Sequence, residues 1–569
     1  MKYYKKLIGM AAVMSVVWGS INVMAAEAEN EIEIPEGAIS HEIEEGELGV
    51  ENSSAYIYIA SELYNLPNWE TPIIYVYPDQ RVADESAAWD IMETTGLQTI
   101  AEDEHAAVLI VNPVNESWSE EDLDVYDALM GYVFYVKEQG DVTLPGYPLS
   151  YLNMQYMIGE GSGATFINEY MTQNADRISA VMTFGGEMPD TSVYAELPAY
   201  LVGSDSREVN FYKAANGVNR EKEQDGKTIY YSEENPVEQV IVNDMDATTF
   251  DADLIQDAYY SLFRWTMRMS LTTQINQDFY TSETFTLIER PNLEELGLTR
   301  IDVYDTGVEG QSRWVLWIPD EALEEGVTEK FPLVIDHHGG HVSPGFEPEA
   351  QGWIELAGEE RFFVFAPEGP EKSDGAEMNL EALQIILEQY PMIDASRIYA
   401  AGFSRGGGQV NEMIMEYSEI LAAASCMASA DAGLSYEDSE SMQNYELPWI
   451  FSVGTGERPN GLNERDILGV NSALLMNHLE VPEEYDYETY PYWGIETELG
   501  GLNYTTTDGF DVVSGIVRNE AGIPMVQFTY VTELMHVHYT EYARIHWDFM
   551  KNYARDLDTG EVIYLLNAE

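Results

Sequence analysis

Short apolar runs recur along the chain, bounded by polar or helix-like stretches. In the second half they are RWVLWIP (313–319), FPLVIDHHGG (331–340), RFFVFAPEG (361–369), RIYAAGFSRGG (397–407), LAAASCMAS (421–429), PWIFSVGTG (448–456) and MVQFTYVTE (525–533). Runs of this length, lacking polar–apolar alternation, predict strands buried on both faces of a parallel sheet. Between them MNLEALQIILEQY (378–390) and GQVNEMIMEY (408–417) read as helices. TEYARIHWDFMKNYAR (540–555) places Tyr542, Ile545, Phe549 and Tyr553 at helical spacing. Strand alternating with helix predicts a doubly wound α/β domain.

The first half repeats the rhythm. PIIYVYP (72–78), AAVLIVNP (106–113), YMIGEGSG (156–163), ISAVMTFGG (178–186), PAYLVGS (198–204) and EQVIVND (238–244) read as strands, and LIQDAYYSLFRWTMR (254–268) as a closing helix. Gly161 stands 17 residues before the strand start Ile178, and Ser404 stands 17 before Leu421. A chain of 569 residues is too long for one core. The pattern predicts two tandem α/β domains with doubly wound, mostly parallel sheets, over 50–275 and 280–569, divided within TTQINQDFYTSE (272–283).

Charge narrows the partners. The chain has 101 Asp and Glu against 27 Lys and Arg, a net charge of −74. Nucleic acid and anionic membrane surfaces would be repelled, so neither is expected as a partner. An acidic coat suits a soluble secreted protein. Lys2, Lys5 and Lys6, an apolar stretch from Leu7 to Trp18 and small residues around Ala25 to Ala28 form a secretory signal peptide pattern over 1–25. The apolar stretch is short for a bilayer span. An acidic leader over 26–49 follows. The single cysteine, Cys426, has no partner for an internal disulfide and falls in an apolar run, which predicts a buried core residue.

Ser404 lies in Ala401-Gly402-Phe403-Ser404-Arg405-Gly406-Gly407, between a predicted strand and a predicted helix. A G-x-S-x-G turn at such a junction lifts a serine hydroxyl above the sheet and aims the next backbone N–H, that of Arg405, at an oxyanion. The bare pattern is weak in a glycine-rich chain; its position is what raises it. The loop DHHGGHV (336–342) supplies the second oxyanion amide, Gly340 or else Gly339. His337, His338 and His341 read as loop residues rather than a metal cluster, since no acidic or cysteine partner sits at ligand spacing. The base falls among the histidines after the last strand: His536, with His538 as alternative, while His546 sits within the closing helix and is read as packing. The acid is Glu457, or Asp466 in NERDILG. The order Ser, acid, His then fits a nucleophile–base–acid triad that needs neither metal nor cofactor.

DASRIYAAGFSRGGGQ resembles the elbow region of α/β-hydrolases of the secreted polyhydroxybutyrate depolymerase and feruloyl esterase group. FPLVIDHHGG resembles their oxyanion segment, and MHVH with HWDFMKNYAR their histidine loop and final helix. The resemblance covers roughly 310–555 and implies a carboxylic-ester hydrolase acting on a small-molecule or polysaccharide-linked ester, with no cofactor. It departs at Glu457, where that group usually carries aspartate. The first half then reads as a degenerate α/β-hydrolase-like domain. Gly161 holds the nucleophile position, with Ser162 one place late. The loop after PIIYVYP is Asp79-Gln80, and the base position near EQVIVNDMDATTF (238–250) contains no histidine; His41 and His105 stand elsewhere. Asp244, Asp246, Asp251 and Asp253 read as a solvated loop with helix caps rather than a Ca²⁺ site. YDYETYPYWG (485–494), in the insertion 456–524, reads as a lid or as an aromatic minicore. A prolyl oligopeptidase-type peptidase would share the triad order but carry a β-propeller in front. A non-catalytic extracellular binding protein is the remaining alternative.

Overall fold

In the computed structural model, residues 39–64, 70–134, 154–190, 195–269, 286–340, 342–369, 375–430, 444–506 and 509–567 are described. The predicted signal peptide, the acidic leader up to residue 38, the segment 272–283 and His341 lie outside them. Two compact units divide at Arg290 and Pro291.

The first unit holds β1 (His41–Ile43), β2 (Ser54–Ile59), β3 (Ile73–Tyr77), β4 (Ala107–Asn112), β5 (Gln155–Glu160), β6 (Ala180–Phe184), β7 (Ala199–Val202), β8 (Arg220–Gln224), β9 (Lys227–Tyr231) and β10 (Gln239–Asn243). They form one sheet in the order β1-β2-β4-β3-β5-β6-β7-β10-β9-β8. Every residue of β3, β4, β6 and β7 is buried, as continuous apolar runs require. The hairpin β11 (Thr266–Met269) and β12 (Thr286–Glu289) closes the unit.

In the second unit β13 (Leu298–Val303), β14 (Trp314–Pro319), β15 (Phe331–His337), β16 (Phe363–Pro367), β17 (Ile393–Phe403), β18 (Ala423–Met427), β19 (Trp449–Gly454), β20 (Glu498–Thr505), β21 (Asp511–Arg518) and β22 (Pro524–Val531) form the other large sheet. Its order, β13-β14-β16-β15-β17-β18-β19-β22-β21-β20, is the first unit's order position for position. In each sheet six central strands run parallel, with antiparallel strands at both edges.

The likeness reaches single hydrogen bonds. Tyr156 on β5 donates its hydroxyl to Thr266 O at 2.7 Å; Tyr399 on β17 donates to Tyr553 O at 2.8 Å. Arg268 donates Nε to Ile178 O at 2.8 Å and Nη2 to Glu196 O; Arg555 donates Nε to Leu421 O at 2.8 Å and Nη1 to Glu446 O at 2.9 Å. The accepting glutamate opens a Glu-Leu-Pro stretch in both units, at 196–198 and 446–448. These bonds correct two helix predictions. The first closing helix spans only Ala252–Ser261, and Thr266–Met269 is strand β11. The last helix spans Tyr542–Met550, and Tyr553 lies in β23 (Tyr553–Arg555), paired with β24 (Val562–Tyr564). In both places a buried arginine holds extended backbone against distant carbonyls, a contact that local periodicity does not encode.

Three further differences follow from the structure. β1 pairs with β2, so the first unit begins before residue 50. The hairpins β8–β9 and β20–β21 add edge strands outside the predicted apolar runs; β8 is exposed throughout. The aromatic insertion packs as core. Trp493 is 4 % exposed, its ring 5.9 Å from Phe528 and 5.5 Å from Tyr530, while Tyr487 Oη accepts from Leu462 N at 3.0 Å. The minicore reading therefore describes it, and the lid reading does not.

Candidate active site

The elbow is built on close approach. Between β17 and the helix Arg405–Tyr417, Ser404 has φ 50° and ψ −114°. A non-glycine residue held there stores about 1–3 kcal/mol of strain. A Cβ on Gly402 would lie 2.4 Å from Gly406 O, and one on Gly406 would lie 1.8 Å from His337 O. Only hydrogen fits at either place, so the loop after β15 can cross directly over the helix N-terminus.

Three side chains meet at this turn. His536 Nε2 lies 2.8 Å from Ser404 Oγ, and His536 Nδ1 lies 2.7 Å from Glu457 Oε1. The carboxylate fixes the tautomer: Nδ1–H donates to Glu457 and Nε2 accepts the serine hydroxyl. Ser404 and His536 remain partly accessible, whereas the Glu457 side chain is 6 % exposed. Arg458 Nη1 shares Glu457 Oε1 at 2.6 Å, and its Nε reaches Asp466 Oδ2 at 2.7 Å. Burial works against the Arg458 charge, but Glu457 and Asp466 outweigh it and hold its pKa above the usual arginine value.

The alternatives find other work. Asp466 closes a capping box with Asn463 at the start of the helix Glu464–Met476 and binds Arg458, so it does not face His536. His538 is buried, with Nε2 at 2.8 Å from Glu347 Oε2. Glu347 also accepts Gly339 N at 3.1 Å, which engages that amide and leaves Gly340 and Arg405 as the oxyanion candidates. A Cβ on Gly340 would meet nothing within 4 Å, so the backbone there faces open space. His546 lies between Ser425 Oγ at 2.5 Å and Ser452 Oγ at 2.6 Å, and burial pushes its pKa down to about 3. His337 faces Gln409 Oε1 at 3.2 Å; burial first, then neighbouring His338, push its pKa down to about 3. No group of three metal-ligating side chains occurs among the described residues. Cys426 is buried, and burial pushes its thiol pKa up to about 12.

Glu347 was not legible in the sequence. Its carboxylate is fully buried and ties the oxyanion loop to the histidine loop. Asp336, buried beside it with both oxygens lacking a hydrogen bond, has its pKa raised well above the carboxylate range by burial and then by Glu347. Glu347→Ala is expected to destabilise the protein by about 3–5 kcal/mol, since it strands His538 and the Gly339 amide in the interior. Denaturant unfolding measures this; a loss under about 1 kcal/mol would mean the pair holds nothing.

The first unit keeps the turn with glycine at the position of the serine. Gly161 has φ 54° and ψ −117°, nearly the angles of Ser404. Gly161 N donates to Phe184 O at 2.9 Å as Ser404 N donates to Met427 O at 2.8 Å. Asp79, two residues past β3, stands where Gly339 stands past β15. Its Oδ1 accepts Ser162 N at 2.7 Å, the amide corresponding to that of Arg405, and its carbonyl accepts Ser162 Oγ at 2.6 Å. An internal carboxylate thus occupies the place of the oxyanion. A Cβ on Gly161 would lie 2.3 Å from Asp79 Oδ1. Gly161→Ser in a Ser404→Ala background is therefore expected to give no fluorophosphonate labelling; a labelled peptide spanning position 161 in mass spectra would refute this.

No family model and no curated protein matches the chain. Among solved structures, an acetyl xylan esterase from Aspergillus awamori aligns over 44 % of this chain and 99 % of its own, at 13 % identity and TM-score 0.32. A ferulic acid esterase aligns over 32 % of this chain and 86 % of its own, at 14 % identity and TM-score 0.25. An S-formylglutathione hydrolase from Staphylococcus aureus aligns over 34 % and 94 %, at 12 % identity and TM-score 0.25. At such values it is the strand order and the elbow that carry the fold. Both units are α/β-hydrolase-like: mostly parallel sheets of one strand order, each with a sharp strand-to-helix turn at the same place. The first is an α/β unit and not a propeller, which removes the sequence feature that a prolyl oligopeptidase-type reading needs.

Proposed function

We propose that the protein is a secreted serine esterase, in which the second unit hydrolyses carboxylic esters and the first is a pseudoenzyme domain. The line of hydrogen bonds Glu457–His536–Ser404 carries this reading. As Ser404 Oγ attacks the ester carbonyl, His536 Nε2 takes its proton, and the Glu457 carboxylate stabilises the imidazolium. The tetrahedral oxyanion is met by the amides of Gly340 and Arg405, the latter at a helix N-terminus. His536 then returns the proton to the alcohol oxygen as the C–O bond breaks. Water repeats the sequence to free the acid and regenerate the serine. These steps use side chains and backbone amides of the second unit alone.

The substrate class is a short or feruloyl-type acyl ester, on a small alcohol or a plant polysaccharide. The resemblance of residues 394–409 to secreted depolymerases and feruloyl esterases supports it, as does the signal peptide pattern over 1–25. The test is kcat/KM on butyryl and acetyl esters, methyl ferulate, a palmitoyl ester and a proline peptide, after fluorophosphonate labelling of the native protein. A peptide cleaved best would end the esterase reading. A palmitoyl ester cleaved best would leave the reaction and overturn the acyl class.

A further inference from the structure

The residue after the nucleophile is an arginine in a chain with 27 basic against 101 acidic residues. Other buried or half-buried arginines among the described residues are tied down: Arg458 to Glu457 and Asp466, Arg313 to Asp302, Arg555 to backbone carbonyls. The exposed Arg405 side chain makes no hydrogen bond, ion pair or ring contact with any described residue. Its position is nevertheless defined. A Cβ built on Gly369 would lie 2.6 Å from Arg405 Nη2 and 2.6 Å from Gln409 Nε2, so the guanidinium and a carboxamide NH₂ converge over that glycine. Gln409 is 7 % exposed, and its Oε1 faces His337 Nδ1 at 3.2 Å, which leaves the NH₂ turned to the guanidinium.

Two donors side by side, one of them charged, form half of an anion site. A planar guanidinium matches the two oxygens of a carboxylate. Because the whole-chain charge opposes anions at long range, the attraction is local and suits one carboxylate better than a polyanion. We propose that Arg405 is the specificity-determining residue of the site, selecting esters that carry a free carboxylate, with Gln409 as the second donor. This rests on the esterase reading and names its substrate class more narrowly. The carboxylate can stand on the acyl or the alcohol half of the ester; the donors serve either.

The experiment compares kcat/KM for matched charged and uncharged esters near 0.15 M salt, where the Debye length is about 8 Å and the distant field is screened. Methyl hemisuccinate against methyl butyrate tests the acyl half. The butyryl ester of glycolate against ethyl butyrate tests the alcohol half. In the native protein one charged ester is expected to be preferred by about 10- to 100-fold, the range of a charge-assisted hydrogen bond. Arg405→Gln should bring that ratio to about one, whatever it does to the absolute rates, and Arg405→Lys should retain part of it. Gly369→Ala, which pushes the guanidinium aside without removing it, should also lower the ratio. A native ratio of one or less in both halves, or a ratio that Arg405→Gln leaves unchanged, overturns the proposal while the esterase reading stands. Turnover of no ester at all overturns both.

Discussion

Ser404→Ala is expected to lower turnover by about 10⁴- to 10⁶-fold, the loss seen when a triad nucleophile is removed. It should also abolish covalent labelling of the chain by a fluorophosphonate. The size follows from geometry: Ser404 Oγ is the oxygen that His536 Nε2 reaches, at 2.8 Å, from a turn that holds the serine at φ 50° and ψ −114°. Residual activity would come from the oxyanion amides and substrate binding, which survive the substitution. Rates from purified native and variant protein on one butyryl ester decide it. A variant that keeps more than about a tenth of native turnover, or labelling that persists at any residue before 280, would mean the chemistry lies elsewhere.

His536→Ala is expected to match the serine variant, because nucleophile and base act as one unit and either loss disables both. Glu457→Gln should cost less than either, up to about 10⁴-fold, since the acid orients the ring and stabilises its charge without moving a proton itself. His538→Ala should act mainly on stability, through its buried bond to Glu347. Asp466→Asn should likewise weaken the helix cap and the Arg458 bridge before it touches turnover. These variants are to be compared by kcat together with denaturant midpoint. Should Asp466→Asn reduce kcat more than Glu457→Gln at equal stability, Glu457 is not the acid.

The continuous apolar runs were legible as strands because a strand buried on both faces must be apolar at every position. β15, β18, β19 and the buried end of β17 from Ile398 arose that way, and the two elbows with their 17-residue spacing announced the repeated unit. Ser404 was legible in part for a local reason: a Cβ on Gly402 would strike Gly406, four residues on, while the demand on Gly406 comes from His337 at the end of β15. Edge strands were not. β8 is exposed on both sides, so nothing in its composition separates it from a loop.

The chain order of Ser404, Glu457 and His536 narrowed the triad to a choice among neighbours, and there local sequence stopped. His536 and His538 are two residues apart with similar surroundings in sequence. One meets Ser404, 132 positions away, and the other meets Glu347, 191 positions away. Glu457 and Asp466 are both bridged by Arg458, and only the path of the loop after β19 turns Glu457 toward the imidazole. In the first unit the absent serine was plain at Gly161, but Asp79 filling the oxyanion place was not, since that contact spans 83 residues. Burial and backbone angle are set by near neighbours and so leave a periodic mark on the chain. Which of two like side chains receives a given hydrogen bond is decided by residues that only the folded sheet brings within about 3 Å, and it leaves no such mark.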